Sequence, residues 1–208
     1  MSEANVIHLA MRPHALVVYE SMFGNTRGVA RAIATGLAGS MDVTSVEVSE
    51  APAAIGEGID LLVVGGPTHA FGLSRPTTRD SAAQRRAKPL VSIGEGLREW
   101  IGDLERPDRS IDAAAFDTKV SHPPLPGSAA HAALRRLRRL GFIEVGPATT
   151  FYVAGTEGPL VDGELARARE WGRVVGEVAG ARLAGSKVHP GRASRPCASG
   201  QEWRSIEM

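Results

Sequence analysis

Residues 15–26, A15-L-V-V-Y-E20-S-M-F-G-N-T26, decide the fold class. An unbroken apolar run, Ala15 to Tyr19, reads as a strand buried on both faces, as in a parallel sheet. The segment from Asn25 to Gly39 places Val29, Ile33 and Leu37 on one helical face, with Gly39 suited to the C-terminus. Between them, Glu20 to Thr26 is a glycine-containing turn that feeds directly into a helix. Successive backbone N–H groups from Met22 to Thr26, the hydroxyls of Ser21 and Thr26, and the positive end of the helix together suit a terminal phosphate. Gly24 lets the backbone approach closely. The same residue types also cap ordinary helices, so the hexapeptide alone leaves both readings open. It lacks the G-K-[ST] ending of a Walker A loop and the G-x-G-x-x-G spacing of a dinucleotide site.

Working outward, Val43 to Val48 alternates as a strand, L61-L-V-V-G65 is again apolar throughout, and Ala113 to Val120 and Thr149 to Val153 complete a set of five strands. Helical periods fall at Gly96 to Leu104, at Ser128 to Leu140 closed by Gly141, and from Asp162, read as an N-cap, to Leu183 with Leu165, Trp171, Val175 and Val178 inward. A helix between the second and third strands is short, and the polar stretch Arg75 to Lys88 reads as a mobile excursion. Strands alternating with helices predict an α/β domain, a single doubly wound five-stranded parallel sheet. Such sheets bind ligands at the carboxyl ends of the strands, near the switch in strand order.

Two further loops leave those carboxyl ends. G65-G-P-T-H-A-F-G72 offers free amides and two rings, which suits a flat heterocycle: backbone groups read its polar edge while Phe71 or His69 packs on it. A tight turn with Phe71 in the core is the plain alternative. His69 is the only side chain of this loop able to move a proton near neutral pH. The stretch F116-D-T-K-V-S-H-P-P-L-P-G-S128 places Asp117 and Thr118 at a strand end and Gly127 and Ser128 at a helix start, positions equally suited to capping and turns.

Composition bounds the rest. The chain has 208 residues, 43% hydrophobic and 23% charged, with a formal net charge of +1, so charge alone suggests neither nucleic acid nor an anionic membrane as partner. Its apolar runs are too short to span a bilayer, and its start has no secretory pattern. The single cysteine, Cys197, permits no intrachain disulfide and fits a reducing cytoplasm. No His/Asp/Glu group has metal-ligand spacing, and no nucleophile motif occurs. Residues 1–14 read as a flexible leader, 15–183 as the domain, and 184–208 as a disordered tail. The basic run R135-R-L-R-R139 near a helix end either complements the helix dipole or docks an acidic redox partner or nucleic acid. Arg75, Arg79, Arg85, Arg86 and Lys88 either grip the 2′-phosphate of NADPH or belong to a solvated loop.

S21-M-F-G-N-T26 and G66-P-T-H-A-F-G72, each after its own strand, resemble loops of the flavodoxin-like family. The first matches the phosphate loop [ST]-x-x-G-x-T; the second is similar to the P-T-x-F-G loop of flavodoxin-like quinone reductases with one residue more. F116-D-T-K with G158-P-L-V-D-G-E-L165 resembles a flavodoxin-domain group of high-GC bacteria. The resemblance covers Ala15 to about Leu183 and implies the sheet order 2-1-3-4-5 with FMN at its switch point. It implies that Ser21, Met22, Phe23, Gly24, Asn25 and Thr26 bind the FMN phosphate and that Pro67, Thr68, His69, Ala70, Phe71 and Gly72 flank the flavin. It also implies that Asp117, Thr118, Gly127 and Ser128 belong to a third flavin loop. The expected role is electron transfer between redox partner proteins, with no catalytic side chain and no metal. An NAD(P)H-dependent reductase of quinones or small electrophiles, and a flavin-free binding module, are the alternatives.

Overall fold

The computed structural model describes residues 12–69, 71–84, 91–92, 94–123 and 126–188. Ala70, Arg85, Arg86, Lys88, residues 1–11 of the expected leader, and residues 189–208 of the expected tail, with Cys197 and Trp203, lie outside the described residues. The elements are β1 (His14–Tyr19), α1 (Asn25–Leu37), β2 (Asp42–Glu47), β3 (Leu61–Pro67), α2 (Pro76–Gln84), α3 (Leu97–Asp103), β4 (Asp112–Val120), α4 (Ala129–Arg139), β5 (Ile143–Glu144), β6 (Thr149–Val153) and α5 (Glu164–Val188). All strand pairs are parallel, in the order β2-β1-β3-β4-β5, with β6 also on β4.

The apolar runs form the central strands because both of their faces are covered. Ala15, Val17, Leu61, Val63 and Phe116 point toward α1 and α5, while Leu16, Val18, Leu62, Val64 and Ala115 point toward α3 and α4. The expected fifth strand, Thr149–Val153, is present, and the two-residue β5 precedes it along the same edge. Glu144 faces Ala113 and Thr149 faces Phe116, so the edge carries two residues more than β4 over that span. They are accommodated at Val145–Ala148, where Gly146 has φ 90°.

Several expectations are corrected. Most of the polar excursion is helix α2, which the 3.6-residue pattern could not reveal because the segment has no apolar face. Between β2 and β3 there is only a 3-10 turn, Val48–Glu50. The C-terminus of α1 is closed by Ala38, whose N–H donates to Ala34 O, and not by a left-handed Gly39. Asp162 does not cap α5; the helix begins at Glu164, after Gly163 with φ 85°, and runs through Val188, past the expected boundary at Leu183. Its inward face is also different. Leu165 and Val178 are 49% and 44% exposed, and the buried line is Ala168, Gly172, Val175, Gly176 and Ala179. Small residues face inward because α1 and α5 touch backbone to backbone. A Cβ at Gly172 would stand 2.3 Å from Ile33 O, and one at Gly36 2.0 Å from Arg169 O. Trp171 fills the end of this contact, packed edge-on against Phe116 and Phe151.

The crossing predicts opposite signs for one substitution at two places on α5. Gly172→Ala forces a methyl into a carbonyl that cannot move alone and destabilises by about 1–3 kcal/mol. Gly180→Ala, with nothing within 4 Å of its Cβ position, stabilises by about 0.5–1 kcal/mol through helix propensity. Urea denaturation of both variants measures this; the same sign for both contradicts the packing.

Candidate functional site

The turn after β1 is held from within and from one side. Ser21 Oγ accepts from the N–H groups of Gly24 and Arg27, both at 3.1 Å, and Ser21 N–H donates to Ser92 Oγ at 2.9 Å. Ser92 N–H donates to Ser21 O and Val91 N–H to Met22 O, so residues 91–92 run along the turn like a short strand. Gly24 takes the left-handed conformation (φ 89°) that turns the chain into α1. As a result, the amides of Met22, Phe23, Asn25 and Thr26 have no acceptor among the described residues. These four N–H groups, at the positive end of a thirteen-residue helix, form a concavity whose dipoles suit an anion. Two expectations change here. Ser21 is fully buried and caps its own loop, and Thr26 Oγ1 is buried against Thr118 Oγ1 at 2.8 Å, leaving the main chain as the principal donor.

The loop after β3 is a tight turn. His69 and Gly72 exchange N–H···O bonds of 2.8 and 2.9 Å, and Phe71 sits at φ 75° with 62% of its surface exposed. An exposed aromatic residue in left-handed backbone is strained, the kind of outlier that clusters at binding sites. It is not core. Gly127, from the loop before α4, backs directly onto it: a Cβ there would lie 2.1 Å from Phe71 O. The imidazole of His69 is held below its ordinary pKa by burial and then by the charge of Arg79, so it is neutral at pH 7.

Asp117 joins the loops. Its Oδ2 accepts from Thr68 Oγ1 (2.9 Å), Ser128 Oγ (2.6 Å) and Ala130 N–H (3.0 Å), while Thr68 Oγ1 accepts from Ala129 N–H (2.9 Å). Ser128 Oγ in turn accepts from His131 N–H as the N-cap of α4. Asp117 is completely buried, so the sequence expectation that it meets a ligand edge is replaced by one in which it fixes the walls.

These walls enclose a cavity of about 420 Å³, within the range of cofactor pockets. Of the residues singled out in the sequence, Met22, Phe23, Asn25, Thr26, Pro67, Thr68, His69 and Thr118 line it. Ser21, Gly24, Phe71, Gly72, Asp117, Gly127 and Ser128 do not; Ala70 lies outside the described residues. Lys119, Val120, Val153 and Thr156 also line it and were not singled out. Lys119 reaches Gly127 O at 3.0 Å, and the 155–158 turn is brought in by Asn25 Nδ2 donating to Glu157 O at 3.2 Å. The signal for that turn was the punctuation by Gly155, Gly158 and Pro159 after the last strand. Among the described residues no carboxylate lines the cavity.

Beside it lies a buried polar cluster. Glu20 Oε2 accepts from Leu97 N–H at 3.0 Å, Oε1 has no partner among the described residues, and Arg79 bonds Glu99 Oε2 (2.9 Å) and Ser74 Oγ (3.0 Å). Arg79 is therefore held in a partly buried ion pair and is not a free phosphate grip. Arg75 starts α2, its N–H donating to Thr78 Oγ1. Burial raises the Glu20 pKa above 4.5, opposed by Ser74, Leu97 N–H and Arg79. A carboxyl with a raised folded pKa contributes stability fully below its unfolded value and loses it as pH rises through the folded one. The stability of the wild-type chain minus that of Glu20→Gln should thus be greatest below pH 4.5 and fall as pH rises from there. Urea denaturation at a series of pH values measures it; a difference that is constant or grows with pH contradicts the burial.

No protein-family model matches the sequence, and no curated protein does. Solved structures do match. A flavodoxin from the domain Archaea is 18% identical, with a TM-score of 0.54 over 80% of this chain and 98% of its own. Oxidised flavodoxin 1 from Bacillus cereus is 17% identical, with a TM-score of 0.56 over 79% and 97%. A flavodoxin, WrbA-like protein from Agrobacterium tumefaciens is 20% identical, with a TM-score of 0.50 over 80% and 97%. With the sheet order β2-β1-β3-β4-β5 and helices on both faces, the chain has the flavodoxin-like fold.

Proposed function

We propose that the chain binds FMN, its phosphate on the amides of residues 22–26, and carries electrons between protein partners in the cytoplasm. The observation that carries this reading is the set of four N–H groups around left-handed Gly24 that have no acceptor among the described residues, opening into a cavity whose described lining has no carboxylate. FMN supplies the redox chemistry when bound. The chain's own residues bind and orient it. Met22, Phe23, Asn25 and Thr26 donate main-chain hydrogen bonds to the phosphate, and Lys119 adds a full positive charge to the cavity wall. Pro67, Thr68, His69, Ala70, Phe71 and Gly72 flank the ring, Phe71 offering an exposed aromatic face and neutral His69 one ring nitrogen that donates and one that accepts. Asp117, Thr118, Gly127 and Ser128 hold the opposite wall. The likeness to structures described as flavodoxins supports the same reading.

A carrier is favoured over an NAD(P)H-dependent reductase because Arg79, a candidate grip for the 2′-phosphate, is held by Glu99 and Ser74. Among the described residues no helix is long and apolar enough to cross a membrane.

Fluorescence titration with FMN and with riboflavin tests the phosphate assignment. Two charge-assisted hydrogen bonds at about 1.5–3 kcal/mol each make FMN bind at least ~100-fold more tightly than riboflavin. Gly24→Val opposes the left-handed turn by about 1–2 kcal/mol and weakens FMN about tenfold while leaving riboflavin unchanged. The loaded protein stays oxidised with NADPH alone and is reduced when a flavodoxin reductase is added. Equal affinity for the two flavins contradicts the phosphate site, and rapid saturable reduction by NADPH alone contradicts the carrier.

A further inference from the structure

A row of guanidinium groups leads from the 69–72 turn down the face built by α3 and α4. Arg98 donates from Nε to Ser74 O (2.8 Å) and from Nη2 to Leu73 O (2.7 Å), and Arg136 Nη1 donates to Arg98 O (3.0 Å). These acceptors are neutral carbonyls, so the hydrogen bonds fix the cations without cancelling their charge. Arg75, Arg135 and Arg139 are exposed and, like Arg98 and Arg136, have no carboxylate partner among the described residues. Arg109, Arg167, Arg173 and Arg182, by contrast, each hold at least one.

The helix dipole explains only part of the row. Arg136 and Arg139 lie in the last turn of α4, where a cation is favoured, and Arg138 there is paired with Glu144. Arg98 lies in the first turn of α3, and Arg75 immediately precedes α2, where the dipole opposes positive charge. Burial and then the fields of Arg136 and Arg75 depress the Arg98 pKa, opposed by Glu99 and Glu20. Of those two carboxylates, Glu99 is bonded to Arg79 and Glu20 is buried. α4 itself contains no acidic residue. Cations held together against their own repulsion create a positive potential that an acidic surface relieves, and such complementarity steers and orients docking.

We infer that the surface formed by Arg75, Arg98 and Arg136, with Arg135 and Arg139 on the adjoining exposed side of α4, docks an acidic partner protein beside the 69–72 turn. This rests on the carrier reading and assigns the surface chemistry of one partner. The row is continuous with the cavity rim through Leu73 and Ser74, so a protein seated on it lies over the edge at which electrons would be exchanged. The chain's net charge of +1 gives no general attraction for nucleic acid, so the local row selects a compact acidic surface.

The test uses the FMN-loaded full chain and a redox-inert acidic probe, a gallium-substituted plant-type ferredoxin, with binding followed by calorimetry. Binding is expected to weaken about tenfold between roughly 20 and 200 mM salt, as screening requires. The triple variant Arg75→Glu/Arg135→Glu/Arg139→Glu should weaken it tenfold or more while FMN affinity and Tm stay unchanged. Absence of binding, or equal binding by the triple variant, overturns the docking surface, as does tighter binding of a 20-base-pair DNA duplex through the same arginines. A chain that fails to retain FMN yet binds the ferredoxin through these arginines removes the carrier reading alone; a loaded chain that ignores the ferredoxin removes the docking surface alone.

Discussion

The buried carboxylate of Asp117 is the contact on which the rest of the site depends. Through one oxygen it holds the hydroxyls of Thr68 and Ser128 and the amide of Ala130, joining the ends of β3 and β4 to the start of α4. The Ser128 bond is short, at 2.6 Å, and all three lie where water is excluded, which strengthens them. They set where the chain leaves β3, hence where the His69–Gly72 turn stands and where Gly127 can back onto Phe71. On the other side of β3, Glu20 performs a related service by receiving the first amide of α3. Two acidic residues thus position the loops from behind, and neither faces the cavity.

That arrangement leaves the cavity wall to main-chain amides, one lysine, threonine hydroxyls and apolar side chains. A site built this way is positive without being strongly basic. It favours an anion through oriented dipoles, which are fixed by the left-handed Gly24 turn and by Ser21 capping from inside. Arg98, Arg135, Arg136 and Arg139, on α3 and α4, are among the cations with no carboxylate partner among the described residues, and the partly buried Arg79–Glu99 pair lies beside Ser74.

The sheet was legible because its central strands are buried on both faces, which makes β1 and β3 read as unbroken apolar runs whatever their neighbours. The helices were less so. α5 buries glycine and alanine against α1, so its large apolar residues, Leu165 and Val178, point outward and mislead a periodicity reading. α2 carries no apolar stripe and is shaped by its setting. Within the site, the glycine-rich turns after β1 and β3 located the cavity. They could not show that Asp117 turns inward, since one of its donors, Thr68, lies 49 positions away; Ser21 takes the local capping role that its residue type left open, accepting from Gly24 and Arg27. Thr156 reaches the cavity through a similar long-range contact: the 155–158 turn, marked in the sequence only by its glycines and proline, is brought in by Asn25 from the far end of the chain.

The amide spectrum of an isotope-labelled chain, recorded by NMR before and after one equivalent of FMN, interrogates the anion-binding turn most directly. Hydrogen bonds to a phosphate dianion move the amide protons of Met22, Phe23, Asn25 and Thr26 downfield together and further than any others, while riboflavin leaves those four in place. Four unmoved amides in a spectrum that otherwise responds to FMN would contradict it.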